Sequence, residues 1–127
     1  MQDYNLYEYA IIRVVPKVER EEFLNVGVVL YCAKEKYLQA KFTVDENKLI
    51  MFSAGLDIED LKKHLHVFDC ICRGDNCDSP ITKLDLPSRF RWVTATRSTI
   101  LQCSKVHPGY CLEPANTLEK IFDEMVL

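Results

Sequence analysis

Two apolar segments near the start of the chain constrain its fold more than any other feature. Residues 6–15 and 24–32 are largely apolar at both alternating sets of positions, which predicts two strands covered on both faces. Pro16 ends the first segment because proline lacks a backbone donor. Gly27 weakens the second strand unless a neighbour approaches closely, so it predicts a bulge or a tight contact. The two strands are therefore predicted to be neighbours in the middle of a sheet.

Further segments predict more strands and turns. Residues 37–44 alternate between apolar and polar side chains, which predicts a half-solvated edge strand after a hairpin turn at residues 33–36. Residues 98–104 predict a fourth strand, and the His-Pro-Gly sequence at residues 107–109 predicts a turn. Residues 89–95 are compatible with either a short helix or a strand.

Helix signals complete the predicted architecture. Asp45 and Asp57 are expected to cap two helices, the second of which carries an apolar stripe over residues 58–72 and ends at Gly74. Pro114 favours the first turn of a final helix. The order of elements predicts an α+β fold, a mainly antiparallel sheet of about four strands with helices packed on it. All 127 residues are expected to form a single compact domain.

Composition restricts the classes of function. The net charge of −3 argues against a dedicated nucleic-acid binder, although residues 86–112 contain four basic and no acidic side chains. The first residues do not have the pattern of a signal peptide, and no apolar run approaches the roughly 18 residues that a membrane span needs. We therefore expect a cytoplasmic protein that has no membrane partner. The six cysteines are expected to be free thiols in that reducing compartment.

Motifs at five separated places resemble one family. In chain order they are Tyr9-x3-Arg13-x2-Pro16, Glu22-x2-Asn25-Val26-Gly27-Val28, Arg89-Phe90-x-Trp92, Arg97-Ser98-Thr99-x2-Gln102-x-Ser104-x-Val106-His107-x-Gly109 and Leu118-x3-Phe122. Together they resemble the bacterial domain-of-unknown-function family numbered 3037 over nearly the whole chain. Thr96 and Lys105 depart from the pattern, since proline is expected at both positions. Members are often encoded beside a kinase resembling the HipA-type toxin kinases, so the resemblance implies a protein partner and no particular chemistry.

The first candidate site lies at the ends of the two apolar strands. Because a charge removed from water needs a partner, Arg13 and Glu22 are expected to form an ion pair. With Asn25 and Gly27 they would form a polar cluster that binds an anion or the main chain of a partner. The alternative is a structural ion pair in which Asn25 satisfies loop backbone.

The second candidate site is the basic segment around Arg97 and Ser98. Arginine forks and hydroxyl groups are what a phosphate site uses, and His107 is a candidate acid or base because histidine titrates near neutral pH. Ser98 and Glu22 are the other catalytic candidates. No glycine-rich phosphate loop accompanies them, so an ordinary structural role is the alternative. The binding candidates of this segment are Arg89, Trp92, Arg97, Ser98, Gln102, Ser104 and His107.

Two further residue groups are candidates for metal ligands and for base-stacking groups. His66 and Cys70, four residues apart on one helix, and Cys77 in the following loop are weak zinc candidates, because no paired Cys-x2-Cys motif is present. No metal and no cofactor are therefore predicted. Phe90 and Trp92 beside arginines are able to stack single-stranded bases, although such a pair more often packs on a core.

These features favour a non-enzymatic protein-interaction module that binds a partner, with the HipA-like kinase as the first partner to consider. The expected contact surface bears Arg89, Trp92, Arg97 and His107. One alternative is a phosphate- or nucleotide-handling enzyme that uses Arg97, Ser98 and His107, and another is a weak single-stranded nucleic-acid binder. The absence of a complete catalytic constellation weighs against an enzyme without excluding one.

Overall fold

The part of the chain described by the computed structural model, residues 4–75, 80–95 and 100–127, forms a five-stranded antiparallel sheet with helices on both faces. The strands are β1 (Asn5–Val14), β2 (Leu24–Cys32), β3 (Tyr37–Phe42), β4 (Leu101–Cys103) and β5 (His107–Cys111). The helices are α1 (Glu46–Phe52), α2 (Ile58–Arg73), α3 (Leu86–Thr94) and α4 (Pro114–Met125). The predicted α+β class is confirmed, and the segment that was compatible with helix or strand lies in helix α3.

Strand β1 occupies the middle of the sheet. It pairs with β2 along one edge, and β2 pairs in turn with β3. Along its other edge β1 pairs with both β5, opposite residues 5–9, and β4, opposite residues 12–14. The prediction that the first two strands are central neighbours is confirmed, and so is the edge position of β3.

The turn predicted at residues 107–109 is wrong, because these residues begin strand β5. An edge strand tolerates Pro108 since one side of its hydrogen-bonding ladder is unpaired. Gly109 lies beneath the ring of Tyr7 from β1, and a Cβ atom there would come within 2.5 Å of the Tyr7 Cζ atom. Pro108 is therefore compatible with the pairing to β1, and Gly109 is required by it.

The two faces of β1 are buried against different helices. Ala10, Ile12 and Val14 belong to the core that the sheet forms with α1, α2 and α3. Ile11 belongs to a second core, formed with α4. Helix α4 packs mainly on β2 and β3.

Gly27 marks both a bulge and a close contact. Ile12 is opposite Gly27 while Arg13 is opposite Asn25, so Val26 is an additional residue in the β2 side of the ladder. A Cβ atom on Gly27 would lie 2.6 Å from the carbonyl oxygen of Lys41 on β3. The bulge and the tight contact that the sequence predicts at Gly27 are both confirmed.

The helix ends follow local signals. Asp45, Asp57 and Asp85 each precede a helix and accept a hydrogen bond from the backbone N–H three residues later. The hydrogen bonds from Ser88 lower the pKa of the Asp85 carboxyl. Gly74 ends α2 in the left-handed conformation, with φ of 74°. The predicted caps at Asp45 and Asp57 and the predicted stop at Gly74 are confirmed.

Two expectations drawn from composition concern the membrane and the cysteines. Among the residues that the structure describes, no helix combines the length and apolar character needed to cross a bilayer. Cys32, Cys72, Cys103 and Cys111 form no disulfide bond. The expectation is wrong for Cys70, which is disulfide-bonded, because pairing depends on proximity in the fold and not on composition.

We expect Gly27→Ala to lower the free energy of unfolding by about 1–3 kcal/mol, because the new methyl group must displace backbone atoms of β3. Gly55→Ala is the matched control, since a Cβ atom there meets nothing within 4 Å. Its free energy of unfolding should be unchanged or rise by up to about 1 kcal/mol. Urea unfolding followed by circular dichroism measures both. Equal stability of the two variants would contradict the close contact.

Candidate functional site

The sequence-predicted site residues lie at several separate places. His107 is opposite Tyr9 on β1, and its ring lies 5.4 Å from the Tyr9 ring. Arg13 is four residues further along β1, which places it about 13 Å away along the strand axis. Arg97, Ser98 and Cys77 lie outside the described residues. Arg13 and His107 therefore do not converge on one phosphate.

The ion pair predicted between Arg13 and Glu22 is wrong. Glu22 is exposed and forms an ion pair with Arg20. The guanidinium carbon of Arg13 lies 4.0 Å from the centroid of the Phe23 ring. The aromatic residue beside Glu22, and not the carboxylate itself, therefore faces this arginine as a cation–π partner.

Asn25 joins the start of β2 to the end of α4. Its side-chain amide donates a hydrogen bond to the carbonyl oxygen of Met125, at 3.1 Å. Its Oδ1 atom is buried and accepts no hydrogen bond. Asn25 thus has a structural role through one atom and an unused acceptor at the other.

Arg89 supports the C-terminal end of α2. Its Nη1 atom donates hydrogen bonds to the carbonyl oxygens of Ile71 and Cys72, both at 3.0 Å. The last carbonyls of a helix lack intrahelical donors and carry partial negative charge, so a guanidinium is well suited to them. Arg89 therefore fastens α3 to α2 and does not contribute its charge to the contact surface predicted with Trp92.

Ser104 is also a structural residue. Its buried hydroxyl oxygen accepts a hydrogen bond from the backbone N–H of Ile11 at 2.8 Å and donates one to the carbonyl oxygen of Lys105 at 2.9 Å. Both capacities of the hydroxyl are used within the fold. This leaves no hydroxyl at this position for a ligand.

The metal candidates are not gathered into a site. His66 Nε2 lies 3.6 Å from Cys70 Sγ, but the disulfide at Cys70 removes the thiolate that zinc would need. Within residues 4–75, 80–95 and 100–127, no three side chains of ligating type are grouped to hold a metal ion. Among the described residues, the structure thus brings His66 and Cys70 together, and Cys70 is unsuitable as a ligand.

Phe90 and Trp92 have different environments. Phe90 is buried and stacks on Tyr31, with ring centroids 5.1 Å apart, so it cannot stack on a base. Trp92, two residues later on α3, is 42% exposed. Trp92 is therefore the member of the pair that a ligand can reach.

A groove of 420 Å³ opens between α2, α3 and strand β4, and Trp92 forms part of its wall. Val67 on α2, which is 43% exposed, also lines it. Apolar residues dominate the lining; with Trp92 and Val67 they are Phe68, Ile71, Val93, Ala95, Leu101 and Cys103. The charged side chains of Asp60, Lys63 and His64 line the α2 side. The arrangement is an apolar concavity beside charges of both signs.

Helix α2 forms one side of the groove with a second row of residues. The first row, which includes Leu61, Leu65 and Phe68, is buried in the core. The second row runs through residues 60, 63, 64, 67 and 71, with the spacing of one helix face. Val67 was the available signal in the sequence, since it is an apolar residue outside the predicted core stripe. The groove itself was missed because it also needs the positions of α3 and β4.

The titratable groups near the groove are poorly suited to catalysis. His64 Nε2 and Asp60 Oδ2 are 3.5 Å apart on the exposed side of α2. Burial raises the pKa of the Cys72 thiol far above its usual value, which keeps it protonated and weakly nucleophilic. Cys103 donates a hydrogen bond to the carbonyl oxygen of Val93, at 3.3 Å, and so links β4 to α3. The described residues of the groove therefore offer a ligand apolar contacts, with charged side chains along one side.

Comparison with known families agrees with the motifs in the sequence. The family model described as a protein of unknown function (DUF3037) matches residues 9–126. No curated protein and no solved structure matches this chain. The fold and groove described above are therefore the direct basis for any functional conclusion.

We expect Arg89→Met to lower the free energy of unfolding by about 1.5–3 kcal/mol, because charge-assisted hydrogen bonds to two carbonyl oxygens are lost. Arg91→Met, on an exposed position of the same helix, should change it by less than about 0.5 kcal/mol. Thermal and urea unfolding measure both variants. If both were equally stable, Arg89 would not be the residue that holds α3 against α2.

Proposed function

The chain belongs to the DUF3037 family, and from this premise we propose that it is a non-enzymatic protein-interaction module that binds a partner through the groove between α2, α3 and β4. The observation that carries the proposal is Trp92, a large apolar side chain that is 42% exposed at the wall of that groove. Tryptophan is among the residues that contribute most to binding at protein interfaces.

The position of Trp92 matters more than its exposure alone. Single exposed apolar side chains are common on protein surfaces. Here Trp92 and Val67 face one apolar concavity, which is the feature typical of binding sites. The neighbouring Phe68 and Val93 are buried and held by the core, so the concavity is preformed. A partner would therefore bind without ordering these side chains first.

The chemistry of the groove indicates what kind of segment it accepts. Its apolar lining suits apolar side chains of a partner protein, and Asp60 and Lys63 at its side suit flanking charges of both signs. A polyanion is a poorer match, because Asp60 would repel phosphates and the protein has a net charge of −3. We therefore favour an amphipathic protein segment over a nucleic acid.

The family resemblance suggests the identity of the partner. Because members of the family are often encoded beside a HipA-like kinase, that kinase is the first partner to test. We further propose that the complex forms in the cytoplasm. The proposed role is to restrain or assist the kinase by contact, without chemistry of its own.

We expect Trp92→Ala to weaken binding to a co-expressed HipA-like kinase, of the kind often encoded beside family members, by at least about 30-fold, which corresponds to a hot spot of about 2 kcal/mol. Val67→Asp should weaken it to a similar degree, because a carboxylate would be buried in the apolar groove. Isothermal titration calorimetry with purified proteins measures the affinities.

Tyr110→Ala is the matched control for that experiment, because Tyr110 is an aromatic residue that is 72% exposed on β5 and does not line the groove. Its affinity should stay within about threefold of the original protein. Circular dichroism should show that all three variants remain folded. Unchanged affinity of both groove variants would exclude the groove as the contact, and a kinase that does not bind the unmodified protein would exclude that partner.

A further inference from the structure

Helices cover only part of the sheet face to which Ala10 belongs. Side chains alternate along a strand, so Leu6 and Glu8 of β1 project from the same face as Ala10. Ala10 is fully buried in the core with α2 and α3, whereas Leu6 is 51% exposed. The helical cover of this face therefore ends near Glu8.

Large apolar side chains are exposed where that cover ends. Leu6 is opposite Tyr110 on β5, and cross-strand partners project from the same face of a sheet. Tyr110 is 72% exposed, and Tyr4, two residues before Leu6, is 60% exposed. Exposed apolar side chains that adjoin one another are typical of interaction surfaces. Tyr4, Leu6 and Tyr110 are called the apolar surface below.

A cavity of 220 Å³ adjoins the apolar surface. Its lining includes two aromatic rings, an aliphatic side chain and two charged groups, which are Tyr4, Tyr31, Leu6, Glu8 and Lys34. Tyr31 is opposite Glu8 on β2, and its ring stacks on the buried Phe90 of α3, so this wall is preformed. Small-molecule sites commonly occupy roughly 300–1,000 Å³, so a cavity of this size is better suited to one side chain of a partner.

Glu8 is a half-buried acid whose carboxylate has no partner within residues 4–75, 80–95 and 100–127. None of the hydrogen bonds and ion pairs made by this part of the chain involves that carboxylate. Asp69, the other half-buried acid of these residues, pairs with Arg73. Burial and, secondarily, the charge of Glu8 raise the pKa of Tyr31, which is consistent with a carboxylate close to that ring. A charge that has lost part of its hydration is stabilised by an opposite charge.

Two cations of the protein lie near this carboxylate without pairing with it. Lys34 is exposed in the hairpin turn, and Arg91 is exposed on α3, where its charge acts on Tyr31. Neither forms an ion pair with Glu8. Both exposed side chains keep their hydration, whereas Glu8 is fixed on the central strand at the cavity. A cation supplied by a partner is therefore able to bind beside Glu8.

We propose that this cavity receives an arginine side chain from an extended segment of a partner protein, with Glu8 binding the guanidinium group. A guanidinium binds a carboxylate through two parallel N–H groups and stacks on aromatic rings, so a carboxylate beside Tyr4 and Tyr31 suits arginine better than lysine. Glu8 and Leu6 are about 7 Å apart along β1, which is the spacing of same-face side chains in an extended chain. The segment is therefore expected to carry an apolar residue two positions from its arginine, in contact with the apolar surface.

This contact is separate from the groove beside Trp92. The groove is lined by Leu101, which is opposite Val14, and Leu6 precedes Val14 by eight residues, or about 27 Å along the strand. Among the described residues, none lines both the cavity and the groove. The inference therefore concerns a second partner segment and does not depend on the function proposed above.

Backbone NMR of the ¹⁵N-labelled unmodified protein tests the proposal, with the amide signals of Leu6 and Glu8 as reporters. The probes are a blocked Gly-Leu-Ser-Arg-Ser-Leu-Gly peptide, the same peptide with citrulline in place of arginine, and acetylarginine methylamide, all at one ionic strength. We expect saturable shifts with the arginine peptide and at least about tenfold weaker binding of the citrulline peptide, which lacks the charge. Acetylarginine methylamide should bind more weakly than the arginine peptide, because it has no apolar side chain for the apolar surface.

Three variants provide the matched comparison. Glu8→Gln keeps the shape of the side chain without its charge, so it should bind the arginine peptide at least about tenfold less tightly. Glu59→Gln, at an exposed position of α2 outside the cavity, should bind within about twofold of the unmodified protein. Tyr110→Ala should weaken binding of the peptide at least about threefold while it leaves the groove intact, so failure of this proposal and failure of the proposed function are distinguishable.

Three outcomes would overturn the proposal. They are the absence of a saturable shift with the arginine peptide, equal binding of the arginine and citrulline peptides, and binding by Glu8→Gln as tight as that of the unmodified protein. Equal affinity for acetylarginine methylamide and the arginine peptide would overturn the part assigned to the apolar surface. The comparison of probes uses the unmodified protein, so it remains decisive even if a variant does not fold.

Discussion

The structure depends on the hydrogen bonding of β1 along both of its edges. One edge is paired with β2, and the other is shared by β4 and β5. The same strand contributes to both cores, because its alternate side chains face opposite layers of helices. A slip of one residue in its register would exchange Ile11 and Ile12 between these layers, so the pairing is strongly specified. The remaining elements are placed by reference to this strand.

The environment of Arg13 follows from that pairing, whereas the groove beside Trp92 follows from a contact between two helices. Arg13 aligns with Asn25 because the β2 side of the ladder contains one additional residue, and Gly27 allows β3 to approach closely at the same point. On the other face, Arg89 fastens α3 to the end of α2. Since Trp92 follows on the same helix, the position of the groove depends on that contact.

Local signals in the sequence were sufficient to predict the elements that short-range interactions determine. The two buried strands, the caps at Asp45 and Asp57 and the stop at Gly74 follow from alternation, short-range hydrogen bonding and backbone freedom. Strand β5 was missed because the need for Gly109 comes from Tyr7, which is about a hundred residues away in the chain and adjacent only in the sheet.

The site was harder to predict than the fold because it depends on which groups meet. The sequence shows that Arg13 needs a neighbour, but it does not show that Phe23 faces it while Glu22 pairs with Arg20. Trp92 is partly exposed, whereas Arg89, which was predicted to lie on the same contact surface, is engaged with helix α2. Charge and residue type indicate which groups require partners, and only the packing of the elements determines the pairs.

The interruption between β4 and β5 has a consequence for the behaviour of the protein at high concentration. Between these strands the backbone N–H of Ile11 donates its hydrogen bond to the Ser104 hydroxyl oxygen. Residues 104–106 therefore belong to neither β4 nor β5. An incoming strand would meet two short runs, the second of which contains Pro108 and lacks a donor there. Short, interrupted edges are poor templates for edge-to-edge aggregation, so this side of the sheet is protected from polymerisation by its own irregularity.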